Sequence, residues 1–153
     1  MNYKKCDFTP IMGAKVRIRT KDDMYYNGKL LCRQRDKNSR DEYDHLAILE
    51  RESGGAYWSY NAPTDRIISL EATMKPRDMN QEQLHRLAEE IAIEHYGERY
   101  PGIEYIAFVY EADGKLSDEI CVCLRDMPLK DGFVLDPNKS VDITHWLKEN
   151  DHV

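Results

Sequence analysis

Lys15-Val16-Arg17-Ile18-Arg19, then Lys21-Asp22-Asp23 and Met24-Tyr25-Tyr26-Asn27-Gly28-Lys29-Leu30-Leu31-Cys32, sets the fold expectation for the first half of the chain. The first run alternates strictly, so an extended strand places Val16 and Ile18 on one face and Lys15, Arg17 and Arg19 on the other. The acidic pair makes a polar turn, and Gly28 interrupts a run of larger side chains, which predicts a bend or bulge where the sheet curls. From Arg33 to Asp44 the chain is almost wholly polar and reads as a long exposed loop or hairpin extension. Leu46-Ala47-Ile48-Leu49 and Ala56-Tyr57-Trp58-Ser59-Tyr60 flank the turn residues Ser53-Gly54-Gly55, a hairpin pattern, and Asp65 to Leu70 supplies a last short strand. Five short strands with a strongly bent second one predict a small closed five-stranded β-barrel, forming a binding domain over residues 1–73.

Val16-x-Ile18, Thr20, Asp22-Asp23, Tyr26-x-Gly28-x-Leu30 and the later Asp65-Arg66-Ile67 follow the order of motifs in an Sm-like barrel, and residues 13–71 resemble that family and, more broadly, SH3-like barrels. The resemblance implies the fold and, as the family's activity, RNA binding. The chain departs from the family at the residues that carry that activity. Asp36-Lys37-Asn38 stands where an Asp followed by Met-Asn is expected, and Asp65-Arg66 is the nearest equivalent of the family's Arg-Gly.

The second half opens on a helical stripe. Leu84, Leu87, Ala88, Ile91, Ala92, His95 and Tyr96 recur at three- and four-residue spacing, with Asn80 and Gln83 as a capping box and Gly97 as a stop, which predicts a helix over 80–96. Ile103 to Tyr110 is apolar on both faces and reads as a central strand. Asp113-Gly114 turns the chain, and Glu119 to Leu124 returns as the antiparallel partner. Ser140 then caps an expected final helix holding Ile143, Trp146 and Leu147. The predicted fold class is therefore α+β, with the barrel followed by a compact helix-strand-strand-helix domain over 78–153.

Charge divides at the same place. The 153-residue chain carries 22 Lys+Arg and 28 Asp+Glu, a net charge of −6, but residues 1–71 hold 13 and 11 of these while residues 72–153 hold 9 and 17. Any polyanion partner is thus expected at the barrel half, and the acidic half offers a surface for another partner or for self-association as a homo-oligomer. No apolar run reaches the roughly 18 residues of a membrane span and no secretory signal opens the chain, so a cytoplasmic protein is expected. Cys6, Cys32, Cys121 and Cys123 match neither a zinc-finger spacing nor a secreted disulfide framework, and Cys121 and Cys123 share one face of their strand.

Catalytic signatures are sparse. Phosphate loops, nucleophile elbows, zinc-protease helices and dinucleotide fingerprints are all missing, and no cofactor, catalytic residue or metal set is expected. Cations are the stronger signal. Arg33, Arg35, Lys37 and Arg40 lie within eight residues, and with Arg17 and Arg19 they form a candidate phosphate-contacting surface. Tyr57, Trp58 and Tyr60 complete the candidate ligand-binding set, with Tyr25 also available to stack a base.

The expected function is non-enzymatic: an intracellular binding protein that acts by occupying a protein partner, a nucleotide or a single-stranded nucleic acid through its barrel. Phage and mobile-element inhibitors of host defence include small acidic chains of this kind, an analogy of size and charge. One competing class is a small enzyme or metal-binding protein with a site between the two domains, using His85 or His95 with a carboxylate brought near by folding; His85 and Glu89, four apart, share a face of the predicted helix. The other is an RNA-binding Sm-like protein.

Overall fold

A computed structural model describes residues 1–51, 59–126, 133–134 and 140–149. The strands are β1 (Cys6–Asp7), β2 (Lys15–Thr20), β3 (Tyr25–Arg35), β4 (His45–Glu50), β5 (Ser59–Pro63), β6 (Ile67–Met74), β7 (Ile103–Tyr110), β8 (Leu116–Leu124), β9 (Phe133–Val134), β10 (Val141–Asp142) and β11 (Lys148–Glu149). Among the described residues there is one α-helix, α1 (Gln81–Tyr96), between β6 and β7 in the chain. The mixture is α+β, and the chain divides into two compact units, Met1–Met74 with Asp142–Val153, and Lys75–Val141.

The first unit is built on a six-stranded sheet in the order β10-β6-β2-β3-β4-β5, with β1 and β11 forming a separate antiparallel pair. The alternation read from the sequence holds along β2, whose Val16, Ile18 and Thr20 are buried while Lys15, Arg17 and Arg19 are exposed. Leu30, Ala47, Leu49, Ala62, Leu70 and Ala72 continue the buried face across the neighbouring strands, joined by Phe8 and Ile11 from the amino-terminal segment. Ile143, Trp146 and Leu147 from the carboxyl-terminal segment are buried as well.

Gly28 pairs with Val16, and the ladder from β3 to β4 slips between Leu30 and Cys32, so the expected irregularity lies just beyond the glycine. Among the described residues no sheet closes into the expected five-stranded barrel. β5 passes into β6 through a 3-10 turn at Thr64–Arg66, and β6 takes β2 on one edge and the short β10 on the other. The edge of β6 that a closing strand would use is thus given to the chain's own tail.

That tail is the second correction. Instead of a capped helix around Ile143, Trp146 and Leu147, residues 141–149 form β10, a 3-10 turn at Thr144–Trp146, and β11. The physical reason is local competition with the sheet. Ile143 N–H donates to the Ala72 carbonyl at 2.9 Å, and the Thr144 hydroxyl accepts from the Ala72 N–H at 2.7 Å. These backbone partners are out of reach of a continuous helix. The residues from Asp142 onward accordingly group with the amino-terminal unit rather than with a continuous 78–153 block.

In the second unit α1 begins one residue after Asn80, with both halves of the capping box formed: the Asn80 side chain accepts from Gln83 N–H at 2.9 Å and Gln83 Oε1 accepts from Asn80 N–H at 3.0 Å. Gly97 closes the helix at φ 78°, a left-handed backbone that favours glycine. Leu87, Ala88, Ile91 and Ala92 are buried, as are Ile120, Val122 and Leu124 of β8, whereas His95 and Tyr96, read as part of the stripe, are exposed. The sheet runs β7-β8-β9, so β8 is its centre and β7, read as central from its two apolar faces, lies at an edge among the described strands. No helix among the described residues is long and apolar enough to cross a membrane.

Candidate functional site

The outer face of β2 is the place where charged and aromatic side chains gather. Antiparallel register sets Lys15 beside Lys29, Arg17 beside Asn27 and Arg19 beside Tyr25 on β3, while Thr73, Glu71 and Ser69 of β6 stand on the other side. Facing residues in such a ladder project to the same side, so Lys15, Arg17, Arg19, Tyr25 and Lys29 share one solvent-facing platform.

Tyr25 is 48% exposed and lies under two guanidinium groups, with Arg17 Cζ 5.0 Å and Arg19 Cζ 5.8 Å from its ring centroid. Arg19 is further held by Asp23 Oδ1, which accepts from Nε at 3.0 Å and Nη2 at 2.8 Å. This bond, more than any other cause, raises the pKa of Arg19. Asp23 turns at φ 63°, so the turn between β2 and β3 aims its carboxylate back along β2. The arrangement supplies a flat amphipathic ring with cations around it. An unpaired base stacks on such a ring and its phosphates meet such cations.

The remaining candidates from the sequence separate. Arg33 is turned toward the amino-terminal segment: its guanidinium donates to the carbonyls of Cys6 and Lys4 and lies 5.6 Å over the Phe8 ring. Burial is the largest influence on its pKa and pulls it down. Arg35, Lys37 and Arg40 are exposed around the β3–β4 turn, but Asp41 and Asp44 of that turn both engage Lys4, at 3.0 Å for Asp44. Tyr57 and Trp58 lie outside the described residues. Tyr60 packs edge-on against Tyr26 with centroids 5.5 Å apart, and Arg51 Cζ sits 4.2 Å over its ring. Tyr26 alternates with Tyr25 on β3, so Tyr60 belongs to the opposite face from Arg17 and Arg19.

The residue missed by sequence reasoning is Lys29. It joins the platform only through the cross-strand pairing with Lys15, and the spacing of fourteen positions carries no local signal. On α1, His85 Nε2 and Glu89 Oε1 are 3.0 Å apart as an exposed pair, and His95 is exposed. Among the described residues no group of three or more His, Cys, Asp or Glu side chains gathers around a point that could hold a metal ion. Compared with protein-family models, with curated proteins and with solved structures, the chain matches none.

Proposed function

We propose that this chain is a non-enzymatic binding protein that occupies a single-stranded nucleic acid on the outer face of β2 and β3. The observation that carries the reading is Tyr25, half exposed beneath Arg17 and Arg19 on a sheet face that also bears Lys15 and Lys29. The slightly basic balance of residues 1–71 supports it. The strand order β6-β2-β3-β4-β5, with a short turn leading into β6, supports kinship of the first unit with Sm-like and SH3-like sheets that remain open here. The Sm-type base pocket is not part of the proposal, since its motif residues are replaced; stacking on Tyr25 takes its place.

The test is fluorescence anisotropy with a single-stranded RNA oligonucleotide at two salt concentrations. Binding at micromolar protein is expected, with log K falling against log salt by about 0.7 for each phosphate neutralised. Tyr25→Ala is expected to weaken binding by about tenfold or more at both salts, the loss of one stacked base. Arg17→Ala is expected to flatten the salt slope, and Glu71→Gln, which removes the carboxylate facing Arg17, to tighten binding. Absence of salt-sensitive binding at micromolar protein sinks the reading.

A further inference from the structure

The slip in the ladder from β3 to β4 leaves Leu31 as the extra residue, between the Leu30–Leu49 and Cys32–Ile48 pairs. Leu30 is fully buried, and Arg33 turns its guanidinium over the ring of the buried Phe8. Between these two inward residues Leu31 and Cys32 are both exposed, Leu31 at 47%. A bulge breaks the alternation of a strand, so that two consecutive side chains leave on one face. Ile48, the cross-strand partner of Cys32, alternates with the buried Ala47 and Leu49 and is half-buried on the same outer face.

This apolar patch is continuous with the cationic platform. Lys29, set beside Lys15, stands just before the bulge on the outer face. Tyr25 begins the same strand, about 20 Å from Leu31 at a rise of about 3.3 Å per residue. Tyr25 and Leu31 therefore bracket Arg17, Lys15 and Lys29, with cations in the middle and an apolar surface at each end. Two carboxylates share the face, Glu71 beside Arg17 and Glu50 beside Lys29. They flank the cations from β6 and β4, and their repulsion confines a polyanion to the path along β2 and β3.

We propose that Leu31, Cys32 and Ile48 form a second base-contacting subsite of this face, so that the ligand is a single strand laid lengthwise along β3. One base stacks on Tyr25, a later base covers the bulge, and the intervening phosphates lie over Arg17, Lys15 and Lys29. The inference rests on the nucleic-acid reading of the platform and adds to it an orientation and a length. A stacked strand advances about 3.4 Å per nucleotide, so the two base contacts are about six steps apart, and fewer when the strand is extended. A dinucleotide reaches one end only. The aliphatic subsite recognises apolar area rather than hydrogen-bonding groups, so it accepts any base.

The experiment measures binding of the full chain to a labelled octa-adenylate RNA by anisotropy, and the alkylation rate of Cys32 by iodoacetamide, read by peptide mass. Leu31→Ser is expected to weaken octa-adenylate binding by about fivefold or more, the loss of one half-exposed aliphatic contact. Its salt slope should equal that of the parent, because no phosphate contact is removed. In the unsubstituted chain, saturating octa-adenylate is expected to slow alkylation of Cys32, an exposed free thiol, by about threefold or more, on the order of the protection a covering base gives. Di-adenylate should leave that rate unchanged. A Leu31→Ser chain that binds octa-adenylate as tightly as the parent, while Tyr25→Ala is weakened, overturns the second subsite and spares the platform. Full alkylation of Cys32 in the saturated complex does the same, and needs no substituted chain to fold. A parent that binds no octa-adenylate at micromolar protein removes the platform reading and this inference with it.

Discussion

A side-chain carbon placed on Gly28 of β3 would lie 2.2 Å from the carbonyl oxygen of Glu50 on β4 and 3.0 Å from its carbonyl carbon. The obstacle is backbone, which cannot rotate aside as a flexible side chain would. Gly28 is thus required by the approach of two strands, one position before the Lys29–Glu50 pair. Gly28→Ala is expected to destabilise the first unit by about 1–3 kcal/mol, the range of an overpacked core. Urea unfolding should show a lower midpoint; an unchanged midpoint would mean that β4 yields freely.

Arg33 ties the amino-terminal segment to β3 by donating to the carbonyls of Lys4 and Cys6. Arg33→Lys keeps the charge and loses the planar fork, so it should cost about 2 kcal/mol, the value of a hydrogen bond involving a charged group. Faster proteolytic cleavage within residues 1–8 would report the released segment. RNA affinity should stay at the parent value in the same variant, because Arg33 is not on the β2 platform.

The cluster of Lys4, Asp41 and Asp44 gives the stability a defined acid limb. Asp41 is held below the ordinary carboxylate range chiefly by its hydrogen bond from Lys4, and Asp44 by Ser39 first and Lys4 second. Depressed carboxylate pKa values contribute stability that is complete above the unfolded value of about 4 and is lost as pH falls through the folded values. Lys4, raised by Asp41 and then Asp44, contributes below its unfolded value of about 10.5 and loses that contribution at higher pH. Melting temperatures across the acid range should therefore fall below a pH of about 4, and Lys4→Met should make that fall shallower. Superimposable parent and Lys4→Met profiles would show that the cluster is energetically silent.

Thr144 accepts the N–H of Ala72, a fully buried residue of β6, at 2.7 Å. Thr144→Val keeps the shape and leaves that donor without its partner, an expected cost of about 1–3 kcal/mol. Thr144→Ser should restore most of it. Equal thermal midpoints for the valine and serine variants would show that the hydroxyl does not hold the tail.

The sequence legibly encoded whatever rests on neighbouring residues. Alternation in Lys15–Arg19 placed three cations outward, because a pleated strand sends successive side chains to opposite faces. The α1 boundaries followed from Asn80, Gln83 and Gly97, because capping bonds span only three or four residues. Four of the five platform residues were readable in the same way, as Lys15, Arg17, Arg19 and Tyr25.

Long-range pairing was the illegible part. Lys29 enters the platform through its register with Lys15, and Tyr60 leaves it because it packs against Tyr26 on the other face. Arg33 looks like its exposed neighbours Arg35 and Lys37 in sequence, and only the nearby carbonyls of Lys4 and Cys6 distinguish it.

By itself, the sequence determined the strand and helix periodicities, the turn at Asp22-Asp23, the helix caps and the split in charge, all properties of residues close together in the chain. Tertiary structure alone decided that residues 141–149 become short strands and a turn beside β6, leaving the sheet open where a barrel would close. The reason is that buried N–H and C=O groups must be paired: Ala72 found its partners in Ile143 and Thr144, more than seventy residues away. No local pattern announces such a choice.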